Sequence, residues 1–160
     1  MKKLLYKEMK LSANPLSYWF IAFSAMTMIP RYPILVGSFF ICLGIFYTYQ
    51  QVRECDDITY TVMLPVRKKD VVSAKYLFVL LIELIAFVLC ALLTIIRMKF
   101  LGNAAPYVTN PLMNANAAYL GYLLAVFASF NGIFLAGFFK TAYKIGKPFI
   151  LFCVVGSIII

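Results

Sequence analysis

The polar residues that could do chemistry are concentrated in residues 50 to 75, which read QQVRECDDITYTVMLPVRKKDVVSAK. Acidic Glu54, Asp56 and Asp57 precede a basic group at Arg67, and apolar residues lie between them. Mixed charge around an apolar centre suits a docking surface, on which complementary charge sets orientation and apolar contact contributes affinity. The alternative is a solvated loop whose basic residues only anchor a membrane topology. Because a topology anchor needs no acidic half, we favour the docking surface.

Glu83 is the one acidic residue inside an apolar run long enough to span a bilayer. A carboxylate at that depth is costly in lipid and therefore suggests a functional site. It could couple a proton, contact a cationic substrate, or form a structural hydrogen bond with a residue such as Asn131. These three roles stay open at this point.

Several kinds of chemistry are excluded by what the chain lacks. It contains no histidine, no phosphate-binding loop, no dinucleotide fingerprint and no serine-hydrolase elbow, and its cysteines lack metal spacing. We therefore expect no catalytic site, no metal and no ATP hydrolysis by this chain alone. The net charge of +9 does not indicate nucleic-acid binding, because the basic residues cluster between apolar runs.

The elements that must position these residues are membrane helices. The chain is 64% hydrophobic and 13% charged, and a bilayer core about 30 Å thick needs roughly 20 apolar helical residues to cross it. The pattern predicts an all-α, polytopic transmembrane bundle with about five crossings and an amphipathic interfacial helix at its amino terminus. The predicted order is an interfacial helix at 1–13, spans at 15–30 and 33–49, a cytoplasmic segment at 50–75, a span at 76–96, an extracytoplasmic loop at 97–116, a span at 117–139, a cytoplasmic loop at 140–147 and an incomplete span at 148–160.

Two helix starts can be assigned from local chemistry. Asn14 followed by Pro15 predicts an N-cap and a proline at the first helical position, and Asp70 is predicted to cap the third span. The runs 15–30 and 33–49 are short, so a tight hairpin competes with a re-entrant pair or a single bent element. We expect the hairpin. An uncleaved interfacial helix is likewise preferred over a signal peptide, since no small-residue cleavage site follows.

Charge counting gives the orientation. With the amino terminus in the cytoplasm, twelve of the fifteen Lys and Arg residues fall on the inside. This distribution follows the positive-inside rule and also favours the hairpin. The residues placed outside are Arg31, Arg97 and Lys99.

The fourth span carries small side chains at a four-residue spacing, which lets helix backbones approach closely. Packing within the chain is favoured over a subunit contact, because the pattern names no partner. The residues of this stripe are Ala117, Gly121, Ala125 and Ser129, followed after Ile133 by Gly137.

The charged segment resembles the permease subunits of the ABC-2 type transporter family, in particular its small bacterial members. The resemblance is carried by an acidic turn at 53–57 and by MLPVRKKDVVSAKYL at 63–77. The opening MKKLLYKEMKLSANP is similar to the family's interfacial helix, and KTAYKIGKP to its loop after the fourth helix. One departure is that Val66 runs directly into Arg67, where many relatives have Ser or Thr.

This resemblance implies a multi-pass exporter subunit of the bacterial cytoplasmic membrane that forms the translocation pathway. It implies pairing with a second permease copy or paralogue and with cytoplasmic ATPase subunits that bind the ATP and Mg²⁺, so that this chain holds no cofactor itself. Relatives have six spans, so we expect the chain to be truncated. The segment 50–75 would be the coupling element, with contacts to the ATPase through Arg53, Glu54, Asp56, Asp57, Pro65, Arg67, Lys68 and Asp70.

Two other functions remain open. A secondary transporter or channel would use Glu83 for the coupling ion and would be indifferent to an ATPase. A membrane interaction or immunity protein without transport activity would use the small-residue stripe and would tolerate change at 50–75.

Overall fold

A computed structural model describes residues 2–29, 32–100, 116–141 and 144–159. Within these ranges the chain forms helices and turns and no strand, as expected for an all-α protein. The first four helices are α1 (Lys2–Lys7), α2 (Pro15–Ile21), α3 (Val36–Glu54) and α4 (Asp57–Met63). The last three are α5 (Lys68–Phe100), α6 (Ala117–Thr141) and α7 (Gly146–Ile159).

Three segments adjoining or inside these helices have 3₁₀ or π-helical geometry. Glu8–Ser12 is a π-helical continuation of α1, and Ala22–Met28 is a 3₁₀ continuation of α2. Phe130–Leu135 is a π-helical stretch inside α6. The predicted N-cap at Asn14 is confirmed, because its side-chain oxygen accepts the amide of Leu16 at 2.9 Å.

In the amino-terminal half, α2 with its 3₁₀ continuation packs against α3 as a helical hairpin, while the membrane crossing of its two arms stays a prediction. Ser17 donates a hydrogen bond to the carbonyl of Gly44 at 2.6 Å, and the ring of Phe23, in the 3₁₀ segment, stacks on Phe40. The two arms therefore run antiparallel. They approach closely at Gly44, where an added Cβ would lie 2.8 Å from the Phe20 ring and 3.2 Å from the Ser17 Cα.

Two described helices are long and apolar enough to cross a membrane, α5 with 33 residues and α6 with 25. Helix α7 is apolar but shorter, and residue 160 lies outside the described part. The arrangement with five crossings therefore remains a prediction. At about 1.5 Å per residue, α5 is roughly 50 Å long, well beyond the thickness of a bilayer core.

Helix α5 corrects the sequence prediction at both ends. It begins at Lys68, so Asp70 lies in its first turn instead of capping it, where a carboxylate still favours the helix dipole. It continues through Arg97, which was assigned to the loop 97–116. The Arg97 side chain is buried and donates from Nη1 to the carbonyl of Thr27 at 2.5 Å, so it binds the carboxyl end of the 3₁₀ segment. Residues 101–115 of that predicted loop lie outside the described part.

The core lies between α3, α5, α6 and α7 and is dominated by aromatic side chains. Tyr49 of α3 meets Phe138 of α6 edge to face, with ring centroids 4.7 Å apart. Phe152 of α7 meets Phe130 of α6 in the same way at 5.0 Å. Edge-to-face pairs of this kind fix ring positions as well as burying area, and here they join α3 and α7 to α6.

The close approach at Gly44 gives the first prediction. Gly44→Ala should lower the free energy of unfolding by roughly 1–3 kcal/mol, because the new methyl group overpacks against Phe20 and Ser17. The measurement is thermal or denaturant unfolding of the purified chain in detergent.

Gly121→Ala is the matched control. Nothing lies within 4 Å of a Cβ added at Gly121, so this variant should be neutral or slightly more stable, since alanine is the better helix former. Equal effects of the two substitutions would show that the hairpin does not pack as described.

Candidate functional site

The segment 50–75 is mostly helical and turns sharply at one residue. Helix α3 ends at Glu54, and Asp56 then adopts a left-handed backbone with φ of 48°. Aspartate tolerates that conformation better than most residues, so the chain can reverse here and start α4 at once. After α4, Leu64 is extended, as a residue before proline prefers, and leads through Pro65 into α5.

Lys75 lies at the centre of a buried network of charges. Its Nζ is 2.8 Å from Glu8 Oε2 and 2.7 Å from Asp57 Oδ2, and the side chain is only 2% exposed. Lys7 completes the network, with its Nζ 2.5 Å from Asp57 Oδ1 and 3.2 Å from Glu8 Oε1. Each of the two ammonium groups thus contacts both carboxylates, and the net charge of the network is zero.

The network joins three separate elements of the chain. Lys7 and Glu8 come from the end of α1 and its π-helical continuation, Asp57 begins α4, and Lys75 lies in the second turn of α5. Lys7 also donates to Thr61 Oγ1 at 2.6 Å, and Thr61 donates to the Asp57 carbonyl at 2.7 Å, which fixes α4 in place. Movement of α4 must therefore act on both α1 and α5.

The charges in this network depend on one another. Burial of the Asp57 carboxyl favours its neutral form, but the attraction of Lys75 and Lys7 outweighs this effect. The pKa of Asp57 therefore lies below its usual value. Removing one member of a buried pair is costly because the remaining charge has no counterpart.

The residues predicted as ATPase contacts divide into two groups. Asp57 points inward to the two lysines, and Asp70 is half-buried. The others are exposed at the end of the bundle. They are Arg53, Glu54, Asp56, Pro65, Arg67 and Lys68.

Large apolar side chains lie exposed among these charges. Tyr60, Met63 and Leu64 are 69%, 77% and 52% exposed. Together with the exposed charges, they form a surface with an apolar centre and a charged rim, which we call the α4 tip. Surfaces of this composition are typical of protein–protein interfaces.

Sequence reasoning missed Lys7, Glu8 and Lys75. Glu8 lies in the predicted amphipathic helix 1–13, yet its side chain is 3% exposed and paired, while the apolar Leu11 of the same segment is 70% exposed. The available signal was this single carboxylate among four lysines. Its partner, 67 residues away, could not be identified without the fold.

Glu83 and Asn131 form a second polar contact, between α5 and α6. Asn131 Nδ2 donates to Glu83 Oε2 at 2.6 Å. Glu83 is 5% exposed, and the pair lines a cleft of about 360 Å³. The π-helical stretch of α6 contains Asn131, and such segments are frequent at functional sites.

The small-residue stripe does not pack within the described part of the chain as expected. Ala117, Gly121 and Ala125 are exposed, and Ser129 is half-buried with its hydroxyl bound to the Val126 carbonyl at 2.8 Å. The inner face of α6 is instead occupied by larger side chains, which turn the small residues outward. These inner residues include Tyr119, Leu123, Val126 and Phe127. Only Gly137, at the end of the stripe, meets a neighbouring element, with an added Cβ 2.8 Å from Pro148.

Across the described residues, no three His, Cys, Asp or Glu side chains come together in a group that could hold a metal ion. The site is thus an arrangement of ion pairs and apolar contacts.

These features define a helical protein with two described helices long and apolar enough to cross a membrane and a partly apolar, charged surface at one end of its bundle. A family model described as "ABC-2 family transporter protein" matches residues 3–160. The chain belongs to the ABC-2 transporter family, whose members are membrane subunits of transporters. Comparisons with curated proteins and with solved structures gave no match.

The buried network gives the second prediction. Lys75→Met keeps the length of the side chain but removes its charge, so Glu8 and Asp57 keep only one of the two lysines that they share. The free energy of unfolding should fall by about 3–5 kcal/mol, measured by denaturant unfolding in detergent. Lys69→Met removes an exposed charge from the same helix and should have little effect. Similar losses in both variants would contradict the network.

The depressed pKa of Asp57 gives the third prediction. A carboxyl whose pKa is lower in the folded state stabilises the fold above its unfolded pKa, near 3.8, and loses this contribution as the pH falls through the folded value. The stability difference between wild type and Asp57→Asn should therefore shrink below about pH 3.8. Asp56 lies outside the network, so the Asp56→Asn variant should still lose stability in acid as the wild type does. A difference that stays constant into strong acid would contradict the assignment.

Proposed function

We propose that this chain is the membrane-spanning permease subunit of an ATP-driven exporter and that the α4 tip docks onto a separate cytoplasmic ATPase. The observation that carries this proposal is the exposure of Tyr60, Met63 and Leu64 within a rim of charges of both signs. A surface of this kind is unfavourable in water unless a partner covers it. Membership of the ABC-2 family supports an ATPase as that partner.

The transmission of force would follow the buried network. Closure of the ATPase dimer on ATP would push on α4, and Asp57 would carry the displacement to Lys75 in α5 and to Lys7 in α1. Because α5 is long enough to span the bilayer, a tilt at its cytoplasmic end would open or close a pathway on the other side. Arg97 and Thr27 would hold the far end of α5 to the hairpin during this movement.

The rest of the proposal concerns location and assembly. We place the chain in the bacterial cytoplasmic membrane with its amino terminus inside, supported by the distribution of Lys and Arg residues. A second permease copy or paralogue would complete the pathway. ATP and Mg²⁺ would be bound by the ATPase alone.

The exposed Glu83–Asn131 cleft favours a second function, an ATP-independent secondary transporter in which Glu83 carries the coupling ion. This alternative predicts transport that is abolished by Glu83→Gln and is unaffected by changes at the α4 tip.

The fourth prediction tests the docking surface. Charge reversal at Asp56 and Arg67, combined with Met63→Ser, should abolish co-purification with the proposed ATPase partner. It should also abolish the stimulation of that ATPase by the permease. Asp57 is left unchanged, because its loss would disturb the fold. The measurements are affinity co-purification in detergent and ATPase activity in nanodiscs.

The control is Lys99→Glu, an exposed charge at the opposite end of α5. It should leave the complex and its ATPase activity unchanged. If the triple variant behaves like this control while remaining folded, the α4 tip is not the docking surface.

A further inference from the structure

The cleft between α5 and α6 contains two buried hydrogen-bond acceptors that have no partner among the described residues. They are Glu83 Oε1 and Asn131 Oδ1. The other atom of each group is used, since Asn131 Nδ2 donates to Glu83 Oε2. This shared hydrogen bond fixes both side chains and leaves the two remaining oxygens available on the same pair.

A buried polar atom without a partner is costly, by about 1–3 kcal/mol and more for a charged group. Glu83 is 95% buried, being 5% exposed. The ion pairs formed by the described residues all lie in the network around Lys75, and none involves Glu83. Among the described residues, Glu83 Oε1 and Asn131 Oδ1 therefore have no hydrogen-bond donor, and Glu83 has no positively charged partner.

The walls of the cleft are apolar and its mouth faces outward. Leu80, Leu84 and Leu124 are each more than half exposed at its edge, and Phe87 and Phe127 lie deeper. Its volume of about 360 Å³ is within the range of small-molecule sites. Because α5 and α6 are the two described helices long and apolar enough to cross a bilayer, the mouth of the cleft would face lipid in a membrane.

From these observations we propose that the cleft binds a lipophilic primary ammonium ion, with the –NH₃⁺ group on Glu83 Oε1 and Asn131 Oδ1 and the hydrocarbon chain along the leucines. An ammonium group supplies three donors and a charge, which are the two properties that the site lacks. Anions are excluded by the carboxylate, and a quaternary ammonium ion has no N–H to donate.

This inference rests on the proposed function in one respect: if the chain is a permease, the bound ammonium ion would be its transported substrate. Binding itself needs no ATPase. It can therefore be tested on the purified chain in nanodiscs of phosphatidylcholine.

The probe is radiolabelled dodecylammonium, measured by equilibrium dialysis with empty nanodiscs subtracted. We expect saturable binding that Glu83→Gln weakens at least tenfold. Glutamine keeps the size of the side chain and can still accept from Asn131, so the fold should be retained. Glu54→Gln, which removes an exposed carboxylate outside the cleft, should bind like wild type.

Dodecyltrimethylammonium and dodecanol separate the two contributions. The first has the charge but no N–H donor, and the second has one donor but no charge. Each should bind at least tenfold more weakly than dodecylammonium.

Equal binding of dodecylammonium to wild type and Glu83→Gln would overturn the proposal, and so would binding that never saturates. A third outcome would also overturn the proposal: the wild-type chain is a dimer that does not bind the probe, and Glu83→Gln dissociates that dimer. In that case a second copy of the chain, and not an ammonium ion, would occupy the cleft. Failure to bind the ammonium probe would not contradict docking of an ATPase at the α4 tip. Failure to co-purify with an ATPase would not contradict binding of the ammonium probe in the cleft.

Discussion

The packing of α1, α4 and α5 at one end of this molecule depends on the ion pairs of the buried Lys75 ammonium group. An unpaired lysine at 2% exposure would be strongly destabilising, so the chain must bring two carboxylates to it. Glu8 comes from the amino terminus and Asp57 from the link between α3 and α5. The position of α1, the turn at Asp56 and the start of α5 are therefore all determined by the need to neutralise one charge.

This constraint also explains why the link between α3 and α5 is not a loose loop. Because Asp57 is held inward, α4 is fixed, and Tyr60, Met63 and Leu64 on its other side project outward. The same short helix thus has an inner face of paired charges and an outer face of exposed apolar groups. In the proposed mechanism, a push on the outer face would reach α5 through the Asp57–Lys75 ion pair.

Much of the fold could be predicted from local chemistry in the sequence. The apolar runs predicted α5 and α6, and Asn14 with Pro15 predicted the start of α2, because these signals depend on residues close together in the chain. The network could not be predicted, since Glu8 and Lys75 are 67 residues apart and a single acidic residue in a basic helix has no local signature. Arg97 and the small-residue stripe were misplaced for a related reason. The buried face of a helix is the one whose larger apolar side chains fill the core. The spacing of small residues alone does not show where those larger side chains lie.

The network around Lys75 and the Glu83–Asn131 contact differ in how completely their hydrogen-bonding groups are satisfied. Around Lys75 the four charges neutralise one another, as expected of a structural joint. At Glu83 and Asn131, one oxygen of each residue is left without a partner among the described residues, as expected of a binding site. The first contact would transmit force and the second would hold a ligand, so they can be changed independently.

The most direct test of force transmission is the double variant Glu8→Gln, Lys75→Met in the assembled complex with the ATPase. It removes one charge of each sign and leaves the Lys7–Asp57 pair, so the chain should remain folded and the α4 tip intact. We predict that the complex forms normally but that the permease no longer stimulates ATP hydrolysis and no longer changes its conformation with ATP. Wild-type stimulation in this double variant would contradict the account, because α4 would then act on the membrane helices without the buried network.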